Sequence, residues 1–282
     1  MGKIVEEIIE DKFSLKSAKQ YELSILIGVD SLSYAVVDSQ QELLVLKKYL
    51  LDAPAEPTIP AFQHFFLNDP LLGASYLNTK IGVVHPVFSL VPERLFNREE
   101  QAAYLDQLSP IQTGDDLRNA PLESIESQLV YTIPEAWSQW LKTSFPNAKV
   151  FHQQAGLIEA CANIASTRKG FQLFVNVRQG VVQVLLFEKN WLQFSNQFSY
   201  QTSTDFVYYV LMVVKQYQVP ISSLITFISG TLIEGSEIYN LLYRYLPEIR
   251  RVPVVGLYQF GPIMEAKRIK HQYLDLFAML YC

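Results

Sequence analysis

The four histidines, His64, His85, His152 and His271, stand far apart, and none lies at a metal-binding spacing from another His or a Cys. Two cysteines, Cys161 and Cys282, are too few for a disulfide framework, and Cys161 sits in the small, apolar run Gly156–Ser166, where a thiol packs rather than reacts. A serine nucleophile on a G-x-S-x-G elbow and a Walker phosphate loop are both missing. The carboxylate pairs Glu99-Glu100 and Asp115-Asp116 are adjacent in sequence, so their side chains point apart into water. The basic run Lys267-Arg268-Ile269-Lys270-His271 reads as a solvated helix face. A net charge of -5 and the lack of interleaved aromatics set it against nucleic acid. What remains is a set of turns at strand ends: Gly28-Val29-Asp30-Ser31, Asn176-Val177-Arg178 with Gly180, and Ser229-Gly230-Thr231.

The elements that must hold these turns follow from the pattern. Phe171–Val177, Val181–Glu188 and Trp191–Tyr200 are rich in β-branched and aromatic residues and are separated by tight turns, which predicts a three-strand meander. An earlier copy runs over Leu23–Leu51. Residues 1–20 read as an exposed, partly helical extension. Helices are predicted over Ala61–Leu67, Arg98–Leu108, Pro134–Thr143, Gly156–Ser166, Phe206–Tyr217 and Ser236–Leu246, with one long final helix over Pro262–Leu280. Strands are expected at Tyr76–Leu90 with a bend at His85-Pro86, and at Ser124–Ile133, Ala148–His152, Leu224–Ile228 and Ile249–Val255. The run Val87–Pro92 with Leu95-Phe96 admits two readings, a buried strand or a partner-binding edge.

Three strands followed by alternating helices and strands, twice over, imply a duplicated α/β protein. The first lobe is expected over residues 1–166 and the second over 167–282. With 282 residues, 49% of them hydrophobic, the chain can bury a core in each. No apolar stretch approaches the ~20 residues a membrane helix needs, so membrane insertion is not expected. The cysteine usage and the charged, signal-free start make a cytoplasmic location the default. The aromatic content of 13% fits either an aromatic core or an aromatic binding surface.

Taken together, the two meanders and the segment Leu224–Leu242 resemble the actin, heat-shock 70 and sugar-kinase superfamily of ATPases, a ribonuclease H-like fold. The likeness is nearest to a bacterial family of degenerate actin-like fold. The resemblance implies ATP and Mg²⁺ between the lobes, with an Asp-x-Gly signature in the first turn of each meander. In register with that signature, Gly28 and Asn176 fall at the acidic positions, and Asp30 and Arg178 at the glycine positions. Ser229-Gly230-Thr231 matches part of the adenosine turn. Gly28, Asp30, Ser31, Asn176, Arg178, Gly180, Gly230 and Thr231 are therefore the candidate residues of a vestigial or atypical nucleotide cleft. The expectation is a pseudoenzyme without cofactor, serving as a binding or assembly scaffold for a protein partner or for its own copies. The alternative is an ATP-binding protein or phosphotransferase with an atypical site. Asp30 and Arg178, opposite in charge, are expected to approach one another and plug the cleft.

Overall fold

The structure is a computed structural model and describes residues 2–28, 31–51, 59–106, 108–254, 256 and 258–282. The first half begins with β1 (Gly2–Ile9), β2 (Glu22–Ile27), β3 (Ser31–Val37), β4 (Glu42–Leu51) and α1 (Ile59–Asn68). There follow β5 (Asn78–Val83), β6 (Phe88–Pro92), the short α2 (Ala103–Asp106), β7 (Asp116–Leu122), β8 (Ser127–Ile133), α3 (Glu135–Ser144), β9 (Lys149–His152) and α4 (Gln153–Ser166). The second half holds β10 (Phe171–Arg178), β11 (Val181–Glu188), β12 (Trp191–Ser199), α5 (Ser203–Gln216), β13 (Ile225–Gly230), α6 (Glu237–Tyr245) and β14 (Ile249–Arg251). The chain closes with β15 (Gln259–Phe260), α7 (Pro262–Lys267) and α8 (Leu274–Phe277).

The duplication is explicit in the strand order. The first sheet runs β1-β4-β3-β2-β5-β9 and the second β12-β11-β10-β13-β14. Without β1 and β15, which pair with β4, each is an antiparallel three-strand meander extended by two parallel strands. A separate three-stranded sheet, β6-β8-β7, is inserted into the first half. This is a two-lobed, actin-like α/β fold.

Each sheet buries both faces. The outer face of the first packs Tyr34, Val36 and Ile81 against Phe62 and Phe65 of α1 and Leu141 of α3. The outer face of the second packs Val175, Val184 and Ile228 against Phe206 and Val210 of α5 and Leu242 of α6. The inner faces share one core. Leu26 and Leu46 from the first sheet and Phe174, Leu185 and Phe227 from the second enclose α4 and residues 274–279. Gly156 in α4 permits this, because a Cβ there would stand 2.6 Å from the Ala278 carbonyl oxygen. The C-terminal segment also reaches the first sheet directly, through β15 beside β4 and Met279 against Gly82.

Several expectations are corrected. Residues 2–9 are an edge strand paired with β4, not a helical extension. Its apolar and charged residues come in pairs rather than alternating, and apart from Ile8 they are mostly exposed, so the strand carries little of the one-sided burial that sequence patterning reports. The span Tyr76–Leu90 is two strands in different sheets, β5 and β6. Arg98–Leu108 forms only a 3-10 turn and the four-residue α2, and residues 116–122, where no strand is expected, are a strand. The long final helix is broken: Arg268 takes a left-handed conformation (φ 56°) that ends α7, and 3-10 turns flank α8. Among the described residues, no helix is long and apolar enough to cross a membrane.

Candidate functional site

Parallel pairing brings the ends of β10 and β13 together, opposite the end of β2. There, a cavity of about 480 Å³ opens between the halves, lined on one side by Ser31, Ser33 and Lys48 and on the other by Arg178, Gly230 and Thr231. Asp275 of α8 forms part of its wall.

The strand register fixes which residues of the two turns correspond. Gly28 donates its N–H to the Ser31 carbonyl (2.8 Å), closing the turn after β2. Arg178 pairs with Val181 and closes the turn after β10. In the parallel pairs, Ile27 faces Val83 as Val177 faces Gly230. The counterpart of Arg178 is therefore Gly28, and that of Asn176 is Leu26, two residues from the alignment the Gly-x-Asp pattern suggests. The expected approach of Asp30 to Arg178 lies outside the described residues.

The guanidinium of Arg178 is anchored by Asp275, whose Oδ2 accepts from Nε at 3.0 Å. Both side chains are largely buried, at 12% and 7% exposure. Nη1 has no hydrogen-bond partner among the described residues and stands 2.8 Å from where a Cβ on Gly28 would lie. The arginine of one turn thus occupies the side-chain space of its counterpart.

Asn176 is saturated. Its Nδ2 donates to Gln183 Oε1 (2.8 Å) and, more weakly, to Asp275 Oδ2 (3.4 Å), while its Oδ1 accepts from Ser229 Oγ (2.8 Å). Gln183 Nε2 donates onward to Gln153 and Gln154 at the start of α4, and Gln154 Nε2 donates to Ser195 Oγ of β12. A buried chain of neutral amides therefore runs from the cleft to the far strand of the second sheet. Such a chain is stable only because nearly every member has a partner.

Gly230 has a backbone reason of its own. Its φ is +79°, and a Cβ there would sit 2.1 Å from the Val177 carbonyl, which also accepts from Thr231 N–H (2.8 Å). Close packing of β13 on β10 requires glycine whether or not a ligand binds. Thr231 Oγ1 accepts from Lys48 Nζ (3.3 Å), a contact between the halves. Gly180 (φ +70°) supplies the turn after β10 and does not line the cavity. The site thus gathers Gly28, Ser31, Arg178, Gly230 and Thr231, backs them with Asn176, and leaves Gly180 aside. Asp275 escaped sequence reasoning because it stands 97 positions from Arg178 inside the apolar run Tyr273–Leu280.

A magnesium nucleotide would ask two things of this arrangement. The cation needs carboxylate oxygens and the phosphates need open backbone N–H groups. The cavity's described carboxylates, Glu6 and Asp275, are each in an ion pair, with Lys267 (2.8 Å) and Arg178. Among the described residues, no group of three or more His, Cys, Asp or Glu could share a metal. The guanidinium fills the gap between the two turns.

The sequence of residues 10–249 matches the family described as "Protein of unknown function (DUF3822)". The chain belongs to DUF3822. No curated protein matches it. Among solved structures, this DUF3822 chain is similar to a Bacteroides thetaiotaomicron protein with actin-like ATPase fold and unknown function. The TM-score is 0.80 at 19% identity, over 96% of this chain and 99% of that one. It is also similar to a chain of the PilM–PilN type IV pilus biogenesis complex, with a TM-score of 0.60 at 11% identity, over 92% and 97%. At these identities the likeness bears on the fold.

Proposed function

We infer that this protein is a non-catalytic binding or assembly scaffold that retains the actin-like fold without its nucleotide chemistry. The observation that carries the reading is the Arg178–Asp275 pair seated against Gly28. It puts a buried, anchored cation in the gap between the turns where the superfamily holds phosphate and metal. The saturated Asn176 supports the same reading, since a neutral amide already committed to Gln183 and Ser229 has no carboxylate to offer a cation. A solved chain of this fold, in the PilM–PilN complex, has a protein as its partner, which supports protein binding as the use of the retained fold. A cytoplasmic location suits its free thiols, which burial pushes up, Cys282 to about 12.

Thermal unfolding with and without millimolar Mg-ATP tests this. A ligand at 100 times its Kd adds about 2.7 kcal/mol of stability. The expected result is no shift. A clear shift that needs magnesium would overturn the scaffold reading in favour of an atypical ATP site.

A further inference from the structure

Far from the cleft, at the opposite end of β12, Trp191 is 63% exposed at the first position of an edge strand. Burial of a tryptophan ring is among the largest apolar gains available to a side chain, so an indole left in water at a strand edge calls for an explanation. Trp191 borders two adjoining hollows of about 980 and 240 Å³, which also share Pro92, Ile125 and Ser127. The groove lies between β12 and the edge strand β6 of the inserted sheet, with Leu90, Leu192 and Phe194 along its walls. An extra residue, Gln193, bulges from β12 against β11 and turns the start of the strand. The rim is acidic: Glu93, Glu123 and Glu126 stand there against the single cation Arg94. The run Val87–Pro92 divides between core and groove. Phe88 and Val91 are buried, while Leu90 faces the groove.

We propose that this groove is the docking site for an extended segment of another protein whose apolar anchors are flanked by lysine or arginine. The proposal rests on the scaffold reading for its purpose and supplies the partner's chemistry. Apolar anchors would cover the Trp191 indole and the Leu90–Phe194 walls, giving the buried centre of the contact. The glutamates of the rim would select basic flanks and repel acidic ones.

The probes are two capped peptides carrying a fluorophore, one alternating Lys and Val, the other Glu and Val, followed by fluorescence anisotropy. The expected result is saturable binding of the Lys–Val peptide alone, weakened at least about tenfold by Trp191→Ala. The triple change Glu93→Lys, Glu123→Lys, Glu126→Lys is expected to transfer the preference to the Glu–Val peptide. Binding of neither peptide, binding of both alike, or binding indifferent to Trp191→Ala overturns the proposal. Light scattering supplies the remaining outcome. A dimer dissolved by Trp191→Ala would assign the groove to a second copy of this chain, overturning the assignment to a different protein. Failure here with no Mg-ATP shift would remove the groove and leave the scaffold reading standing. An Mg-ATP shift would remove that reading whatever the peptides do.

Discussion

Arg178 and Gly28 hold equivalent positions in the two halves, and the guanidinium of the first fills the space that a side chain on the second would need. One site of the duplication has gained a long cationic side chain while the other has none. The two choices are complementary, and their coupling can be measured.

A Gly28→Ala substitution is expected to destabilise the protein by about 1–3 kcal/mol, because its Cβ would press on Nη1 and on the Ser31 oxygens. With Arg178→Gly in the background, most of the Nη1 part of that penalty disappears. A double-mutant cycle in urea should therefore return a coupling above about 0.5 kcal/mol. Strict additivity would show that the two turns do not meet as described.

Removing Asp275 alone leaves the Arg178 charge buried without its carboxylate. Asp275→Ala is expected to cost about 3–5 kcal/mol of unfolding free energy. The double variant Arg178→Met/Asp275→Leu should recover most of it, since a well-packed apolar pair avoids the desolvation cost. Equal losses in the single and double variants would mean that the pair is not the anchor of the cleft.

His152 provides a pH test. It is buried between Phe88 and Tyr131, donates from Nε2 to the His85 carbonyl (2.7 Å) and accepts at Nδ1 from Gln154 N–H. Burial, chiefly, lowers its pKa to about 4. The native state therefore keeps the ring neutral where the unfolded chain, at about 6.5, has begun to bind a proton. The stability this group contributes is present above pH 6.5, declines as pH falls, and is gone below about 4. Urea unfolding should weaken between pH 6.5 and 4.5 by up to about 1.4 kcal/mol per pH unit from this residue. Burial also lowers His85 and His271, which add losses of the same sign. His152→Gln should flatten part of the profile, and an unchanged slope would rule out His152 as a contributor.

Much of the architecture was legible because the second meander sets β-branched and aromatic strands between two-residue turns, which leaves few alternatives to hairpins, and the first repeats its three-strand pattern. Most of the interior helices were legible from apolar spacing, and the structure adds a capping box at Thr202–Asp205 that starts α5. The parts that misled lacked one-sided burial. In β1, charged and apolar residues alike face water, and the broken C-terminal helix turns on a left-handed Arg268 that nothing local demands. The candidate site was legible as a place but not as a mechanism. The turns were found, yet a Gly-x-Asp string drew the register two residues away. The partner of Arg178 lies where no local spacing points.

The position of residues 258–279 inside the shared core has a consequence for biosynthesis. Leu26 and Leu46 wait for Tyr258, Met264 and Phe277 before their inner face is covered. On the ribosome, the first sheet therefore stays partly open on that side until residues 258–279 have emerged. Closure of both halves then becomes a single late event, and chaperone dependence should concentrate in that interval.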